Sequence, residues 1–253
     1  MIHKDNLIHR EIPILTYHRV VKTAVENSIF NIYITKDKLE QQIKYFLKRG
    51  RELVTFKDLQ QRFVKKPLIL TFDDGYQDNY QNLLPLLKKY NSKAVIFVLA
   101  NRELTYNKWD VKKGEVKANL MSDNEIIKCH KSGYIEIASH GLNHKHLTKI
   151  SDNELNKEII ESKQILEKII ADEIVSFAYP YGDYDDKVRI VVKNSGYNFG
   201  IATVQGDSCF KNDLFAIKRI PIFPTESKLS LFKKSSGYYL KYQKLKHKIR
   251  LLH

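Results

Sequence analysis

Residues 67–76 read PLILTFDDGY, an apolar run that ends in two adjacent carboxylates and a glycine. The run is typical of a buried parallel strand, and Gly75 allows the chain to turn sharply as it leaves the sheet. Asp73 and Asp74 are like charges, so burying both is costly unless a cation or a shared proton relieves their repulsion. The pair is either a chemical site at the end of a strand or a solvated Asp-Asp-Gly turn, and this stretch alone leaves both interpretations open.

A second apolar stretch, YIEIASH at 134–140, leads into a segment that contains His140, His144 and His146. Two histidines and one carboxylate form a metal-binding set that leaves positions open for water or substrate. The glycine and the asparagine between His140 and His144 favour a loop. One surface histidine is ordinarily only solvated. Two histidines after one strand, in a chain with two aspartates after another, predict a metal site, whereas His146 is the weakest candidate of the three.

A third segment, IVSFAYPYGDYDD at 174–186, repeats the arrangement of an apolar strand followed by a turn. Pro180 restrains the backbone before it to an extended geometry, and Gly182 frees the chain to turn. A stiff loop of this kind can hold a backbone N–H at a fixed point, which is what stabilising an oxyanion requires. Pro-Tyr-Gly is also an ordinary turn, so the segment is a weak signal by itself.

Together, TFDDG, SHGLNH and FAYPYG, which span residues 71–182, resemble the motifs of the polysaccharide deacetylases of carbohydrate esterase family 4, the NodB-homology domain. The resemblance implies that Asp73 is the catalytic base and that a divalent metal ion is bound beside it. Zn²⁺ is the expected metal, with Co²⁺ and Ni²⁺ as alternatives. The implied metal ligands are Asp74, His140 and His144.

The same resemblance assigns the other groups of the site. The Tyr181 backbone N–H would bind the oxyanion, and Pro180 would line the substrate groove. PILTYHRV at 13–20 is similar to the segment that opens many members of the branch acting on biofilm-type poly-N-acetylglucosamine. In that branch the histidine after the tyrosine, here His18, is the general acid.

Two positions depart from the family pattern. Ala178 stands where many members have an arginine that partners the base, and Gly141 stands where serine or threonine is usual. Arg219 follows an apolar strand in AIKRIPI at 216–222 and is a candidate for the missing positive charge and for contact with substrate. A surface arginine is the alternative interpretation.

Length and pattern predict one large α/β domain, because 253 residues with 43% hydrophobic content can bury a substantial core. Ser122 and Ser151 each precede a glutamate by three residues and predict helix-opening capping boxes. Strands alternate with helices, which predicts a parallel sheet, and the resemblance implies a distorted (β/α)7-8 barrel of the NodB-homology type over residues 1–227. The predicted strands are 12–17, 52–55, 67–72, 93–99, 134–139, 174–178, 197–202 and 214–220.

The net charge of +14 favours an anionic partner. The sequence contains no nucleic-acid-binding motif, so nucleic acid is not expected to be that partner. Residues 228–253 contain eight basic and no acidic residues, and their apolar residues recur at helical spacing. This pattern predicts a basic amphipathic helix that either lies on an anionic membrane surface or packs its apolar stripe on the barrel. The stripe consists of Tyr238, Tyr242, Leu245, Ile249 and Leu252.

The first thirteen residues, MIHKDNLIHREIP, contain no apolar run of the kind found in secretory signals. We therefore expect a cytoplasmic protein, which would be peripheral on the inner face of the membrane if its basic tail binds lipid. The predicted reaction is metal-dependent N-deacetylation of an N-acetylated amino sugar with release of acetate. Its substrate is either a glycan polymer or a polyprenyl-phosphate-linked sugar, and the alternative function is that of a catalytically inactive barrel that binds glycans.

Overall fold

The computed structural model describes residues 11–203, 213–236 and 239, and over these residues it confirms the predicted α/β barrel. The strands are β1 (Ile14–Tyr17), β2 (Arg19–Val21), β3 (Tyr33–Thr35), β4 (Glu52–Leu53), β5 (Pro67–Phe72), β6 (Ala94–Val98), β7 (Ile135–Ser139), β8 (Ser176–Ala178), β9 (Phe199–Ala202), β10 (Ile217–Lys218) and β11 (Ile220–Pro221). The helices are α1 (Lys36–Lys48), α2 (Phe56–Gln61), α3 (Leu84–Lys89), α4 (Lys108–Val111), α5 (Asp123–Lys131), α6 (Asp152–Asn156), α7 (Ser162–Ile170), α8 (Asp186–Asn194) and α9 (Lys228–Ser235).

The main sheet is parallel and nearly closes on itself, in the order β10-β9-β8-β7-β6-β5-β1-β11. Its two end strands are consecutive in the chain, with only Arg219 between them, so the segment 217–221 passes from the side of β9 to the side of β1. β4 pairs with the start of β5. Every predicted strand is present. Strand 67–72 has its predicted bounds, the last is divided at Arg219 into 217–218 and 220–221, and the others are shorter than predicted. The separate parallel pair of β2 and β3 was not predicted.

Side chains alternate between the two faces of the barrel wall, as the two-residue period of a strand requires. One buried cluster contains residues such as Ile14, Ile69 and Phe97 from several strands and fills the barrel interior. The other contains their sequence neighbours, such as Leu15 and Leu70, together with apolar residues of the surrounding helices. The strands are therefore buried on both faces, which explains why their sequences are almost continuously apolar.

Both predicted capping boxes are formed. The Ser122 side chain accepts from the Glu125 N–H while the Glu125 carboxylate accepts from the Ser122 N–H, and Ser151 and Glu154 repeat this exchange. The helix that Ser151 opens is not uniformly α-helical, because a π-helical segment, Lys157–Glu161, lies between α6 and α7. Such a segment is often found at functional sites, and here it directs the buried Glu158 side chain toward the loop after β7.

The start of the predicted tail helix packs on the barrel. Leu231 of α9 belongs to the buried core, Lys234 Nζ donates to the Pro221 carbonyl at 2.8 Å, and Arg51 Nη2 donates to the Ser235 carbonyl at 2.5 Å. The predicted apolar stripe from Tyr238 to Leu252 lies outside the described residues. None of the helices in the described part has the length and apolarity needed to cross a bilayer.

Candidate metal centre

The aspartate pair lies at the carboxyl end of β5, held by a hydrogen bond from the Asp73 N–H to the Tyr17 carbonyl. The backbone then turns through two left-handed residues, Asp74 with φ 72° and Gly75 with φ 73°. A Cβ atom on Gly75 would lie 3.2 Å from a methyl group of Val98 on the neighbouring strand. The turn therefore needs glycine for its close approach as well as its φ angle, and it places the two carboxylates in different directions.

His140 follows β7 and is oriented by the third motif. Its Nδ1 lies 2.8 Å from the Ala178 carbonyl, which can only accept, so Nδ1 carries the proton and Nε2 presents a lone pair. That Nε2 is 3.5 Å from Asp74 Oδ1. A histidine whose second nitrogen donates to a carbonyl is the usual arrangement of a metal ligand. Burial lowers the pKa of His140 to about 4, despite the opposing charges of Asp73 and Asp74, so the ring is neutral and available for coordination at neutral pH.

His144 approaches the same aspartate oxygen from the other side, with its Nε2 3.3 Å from Asp74 Oδ1. Its backbone is left-handed, with φ 57°, and its ring stacks on the indole of Trp109 at 4.6 Å between centroids. The loop between the two histidines is held by Glu158. One oxygen of this buried carboxylate accepts from the N–H groups of Leu142 and Asn143, at 2.9 and 2.8 Å.

The candidate ligand atoms of Asp74, His140 and His144 all lie within 4.8 Å of one another, and all three residues are buried. Asp74 Oδ1 has no hydrogen-bond partner within the described residues although it is inaccessible to solvent. Burial disfavours the charged form of Asp74, but His144, His18 and His140 outweigh burial and hold its pKa below the usual range. A buried anionic oxygen beside the Nε2 atoms of two imidazoles fits a divalent cation.

Arg219 is the charge partner of Asp73. Its Nη1 and Nη2 donate to the two oxygens of that carboxylate at 2.6 and 2.8 Å, and Nη1 also reaches Thr71 Oγ1 at 3.1 Å. Burial by itself raises the pKa of Asp73, but the guanidinium, aided by His140 and His18, lowers it below its usual range. The Arg219 side chain is fully buried, which excludes a surface arginine, and it occupies the position of the charge that Ala178 cannot supply.

The third motif forms a short 3₁₀ turn, Pro180–Gly182, in which Tyr181 has a left-handed backbone with φ 59°. Pro180 is buried, whereas Tyr181 is 40% exposed, and its ring packs edge-on against His144 at 4.4 Å between centroids. The His146 ring stacks on the Tyr181 ring, with 3.9 Å between the two centroids. His146 is thus part of the aromatic wall and is not among the three converging ligands.

A cavity of about 360 Å³ opens above these residues at the carboxyl ends of the strands. It is where barrels of this architecture bind their ligands. Of the predicted groups, His18, Asp73, Asp74, His140, His144 and Tyr181 line it, while Pro180 and Arg219 lie behind the wall. Its other lining residues are Phe30, Ile32, Asp110, Lys113, Tyr179 and Thr203.

Comparison with known proteins identifies the family. The family model described as polysaccharide deacetylase matches residues 60–200, which include both candidate ligand segments and the third motif. The chain belongs to the polysaccharide deacetylase family. The fold is that of the NodB-type deacetylases among its structural neighbours.

Three members or structural neighbours of the family are similar to this chain over most of its length. YxkH of Bacillus subtilis is 26% identical over 220 residues, covering 85% of this chain and 72% of its own. Poly-beta-1,6-N-acetyl-D-glucosamine N-deacetylase of Staphylococcus aureus is 25% identical over 252 residues, covering 90% of this chain and 83% of its own. The structure of Streptococcus pyogenes deacetylase PplD in complex with acetate matches with a TM-score of 0.75 at 27% identity, over 89% of this chain and 98% of PplD.

The sequence analysis of this deacetylase family member missed the loop between β6 and α5. That segment, which includes α4, brings Asp110 and Lys113 to the cavity lining and stacks Trp109 on His144. Lys113 Nζ lies 4.6 Å from the centre of the Tyr181 ring. The buried Glu115 ties the loop to the segment before β3 by accepting from the Phe30 N–H at 2.8 Å. The available signal was Trp109, the single tryptophan of the chain, in an otherwise polar stretch.

Proposed function

We propose that this chain is a metal-dependent N-deacetylase that removes the acetyl group from an N-acetylated amino sugar and releases acetate. The observation that carries the proposal is the convergence of Asp74, His140 and His144 beside the Asp73–Arg219 pair at the base of one cavity. Membership of the polysaccharide deacetylase family supports the proposal. A barrel that only bound glycans would also have no need of a buried carboxylate held ionised next to a candidate cation site.

The roles of the residues follow from this placement. A divalent ion held by Asp74, His140 and His144 would acidify water and polarise the acetamide carbonyl, and Zn²⁺ is the first choice, ahead of Co²⁺ and Ni²⁺. Asp73 takes the proton of the attacking water as general base, because Arg219 keeps its carboxylate ionised. Arg219 acts through Asp73 and is a positioning residue.

Two further roles belong to the proposal. The Tyr181 backbone N–H donates to the oxyanion that forms on the acetamide, since its left-handed turn borders the cavity. His18 lines the cavity between β1 and β2 and protonates the departing amine of the sugar. Pro180 sets the geometry of the turn from beneath it.

The first substrate we propose is a β-1,6-linked N-acetylglucosamine polymer, because a relative that this chain matches over 90% of its length is named for that substrate. A polyprenyl-phosphate-linked N-acetylhexosamine is the second, motivated by the basic composition of residues 228–253. The residues of that segment beyond 236, apart from 239, lie outside the described part, so the lipid-linked substrate and the membrane surface rest on composition.

Acetate release tests the proposal. The metal-stripped protein and the protein reloaded with Zn²⁺, Co²⁺ or Ni²⁺ are incubated with chito-oligosaccharides, β-1,6-linked oligomers and a lipid-linked N-acetylhexosamine. We expect acetate only from reloaded protein and fastest from the β-1,6-linked oligomers. Metal-loaded protein that binds these glycans but releases no acetate from any of them would contradict the proposal and favour the inactive glycan-binding barrel.

A further inference from the structure

Asp110 is a buried carboxylate that faces the cavity without a hydrogen-bond donor. Only 7% of the residue is exposed, and it belongs to the cavity lining. Its nearest cation is Lys113, whose Nζ lies 3.8 Å from Asp110 Oδ1, beyond hydrogen-bonding distance. No donor to this carboxylate is found in the described part of the chain. Asp110 is also not one of the residues whose ligand atoms converge on the metal centre.

The loop that carries Asp110 is held in place by contacts independent of that carboxylate. Asn107 is almost completely buried, and its side chain accepts from the Ala118 N–H at 2.8 Å and donates to the Val116 carbonyl at 3.1 Å. Trp109, the preceding residue, stacks on His144. The Asp110 carboxylate is therefore positioned by a rigid support, as a binding group must be, and the loop does not need it for its own conformation.

A ligand that displaces solvent from this carboxylate must supply donors of its own, because a desolvated carboxylate without donors is costly. The cavity must hold the pyranose ring whose acetamide group reaches the metal centre, and the hydroxyl groups of such a ring are hydrogen-bond donors. A hydroxyl that donates to an ionised oxygen forms one of the stronger hydrogen bonds available in proteins. Tyr181 and Phe30 at the same opening are partly exposed and offer apolar surface beside a bound sugar ring.

We infer that Asp110 is a specificity-determining residue whose carboxylate accepts a hydrogen bond from a hydroxyl group of the pyranose that carries the scissile acetamide. This inference rests on the proposed function and adds to it the group that distinguishes a sugar from other acetylated molecules. It predicts that Asp110 matters for a glycan and far less for a small acetyl compound.

The test compares two substrates in the metal-loaded full-length protein. One is an N-acetylated β-1,6-linked oligosaccharide, and the other is 4-nitrophenyl acetate, which has the acetyl carbonyl but no sugar hydroxyl. In Asp110→Ala we expect the ratio of kcat/KM for the glycan to kcat/KM for the ester to fall about tenfold or more, mainly through KM. Asp110→Asn keeps one acceptor oxygen and should recover part of the loss. Glu103→Gln removes a carboxylate from the same loop outside the cavity and should leave the ratio unchanged.

Deoxy sugars identify the hydroxyl. The wild-type protein should lose a similar factor on the one monodeoxy substrate that lacks the contacted hydroxyl, and Asp110→Ala should lose little more on it, because the two changes remove the same interaction. An unchanged ratio in Asp110→Ala, or equal losses on glycan and ester, would overturn the inference. Melting temperature and metal content of each variant show whether the protein remained folded and loaded. Absence of acetate from every glycan with the wild-type protein would refute the proposed function itself.

Discussion

Three side chains that meet at the cavity are attached to left-handed backbone. Asp74, His144 and Tyr181 have φ angles of 72°, 57° and 59°, and none of them is glycine. Backbone of this kind costs about 1–3 kcal/mol for each such residue and persists only where the surrounding structure enforces it. These residues come from three different loops, and the other non-glycine residues with positive φ in the described part are Asn27, Asn31, Asn91 and Ala171.

The first prediction at this scale concerns the metal ligands. Replacing His144 by alanine removes one of three protein ligands and should abolish tight binding of a divalent ion, because too few donors remain. Metal analysis of the purified variant measures this, with His146→Ala as the matched control from the same loop. Full metal occupancy in His144→Ala, with loss in His146→Ala, would move the ligand to His146.

The second prediction separates the two adjacent aspartates. Asp73→Asn should keep its metal but lose about a hundredfold or more in rate, since the amide cannot take a proton from water. Asp74→Asn should instead lose metal. Acetate release and metal content, measured on the same preparations, give both quantities. Near wild-type turnover in metal-loaded Asp73→Asn would mean that another group is the base.

At the scale of elements, the loop after β7 depends on the π-helical segment that follows α6. Glu158 projects from that segment, and its two oxygens receive donors from the loop: the N–H groups of Leu142 and Asn143 and the Asn143 side chain at 2.7 Å. Gly141 has φ 81°, and a Cβ atom there would lie 3.4 Å from a Glu158 oxygen. That distance is ordinary van der Waals contact, so it is the positive φ that favours glycine here, where the family pattern has serine or threonine.

We predict that Glu158→Ala weakens metal binding about tenfold to a hundredfold, because it leaves the loop that carries the two histidine ligands without its anchor. Isothermal titration of metal-stripped protein measures the affinity. Glu161→Gln changes a carboxylate of the same segment outside this hydrogen-bond set and serves as the control. An unchanged metal affinity in a folded Glu158→Ala protein would show that the loop is fixed by its other contacts.

The opposite end of β7 carries a second buried carboxylate. Glu136 accepts from the Lys57 N–H at 2.8 Å and from Ser176 at 3.3 Å, at the amino-terminal side of the barrel. Burial raises the pKa of Glu136 to about 6, because these hydrogen bonds offset only part of the lost solvation. Between its ordinary pKa and 6 the folded protein binds more protons than the unfolded chain.

The free energy of unfolding should therefore fall as pH rises through this interval, and the loss should be complete above pH 6. Glu136→Gln removes that contribution and should be more stable than the wild type at pH 7, by about 2 kcal/mol at most. Denaturant unfolding at pH 4.5, 5.5 and 7 checks the slope, with the exposed Asp186→Asn as control. If the difference in free energy of unfolding between the wild type and Glu136→Gln stays constant over this interval, the prediction is wrong.

At the scale of the whole molecule, what could be predicted from the sequence depended on local signals. Asp73, Asp74, His140 and His144 each follow a strand directly, and the carboxyl ends of parallel strands share one end of a barrel, so their proximity was expected. Whether Arg219 reached Asp73 was left open, because it depends on β10 and β11 closing the barrel between β9 and β1, a pairing over about 150–200 residues of chain.

The cavity loop between β6 and α5 shows the other limit. Its residues have neither the period of a strand nor that of a helix, and its conformation is fixed by side-chain contacts such as those of Asn107 and Glu115. The Asn107 contacts close the segment on itself, whereas Glu115 joins it to Phe30, which is 85 residues away in the chain. Asp110 therefore had no recognisable pattern in the sequence, and only its burial at the cavity singles it out.

The last prediction concerns the carboxyl-terminal segment, for which packing on the barrel and binding to lipid are the two proposed roles. Removing residues 228–253 deletes α9, which buries Leu231 and pairs Lys234 with Glu226, so the free energy of unfolding should fall by about 2 kcal/mol or more.

Removing only 240–253 keeps α9 and should leave the melting temperature unchanged. It also removes five basic residues, each worth about 1 kcal/mol at an anionic lipid surface. Co-sedimentation with anionic vesicles should then be lost in the shorter truncation, and high salt should weaken it in the intact chain. An intact protein that ignores anionic vesicles even at low salt would contradict membrane binding and leave packing on the barrel as the role of this segment.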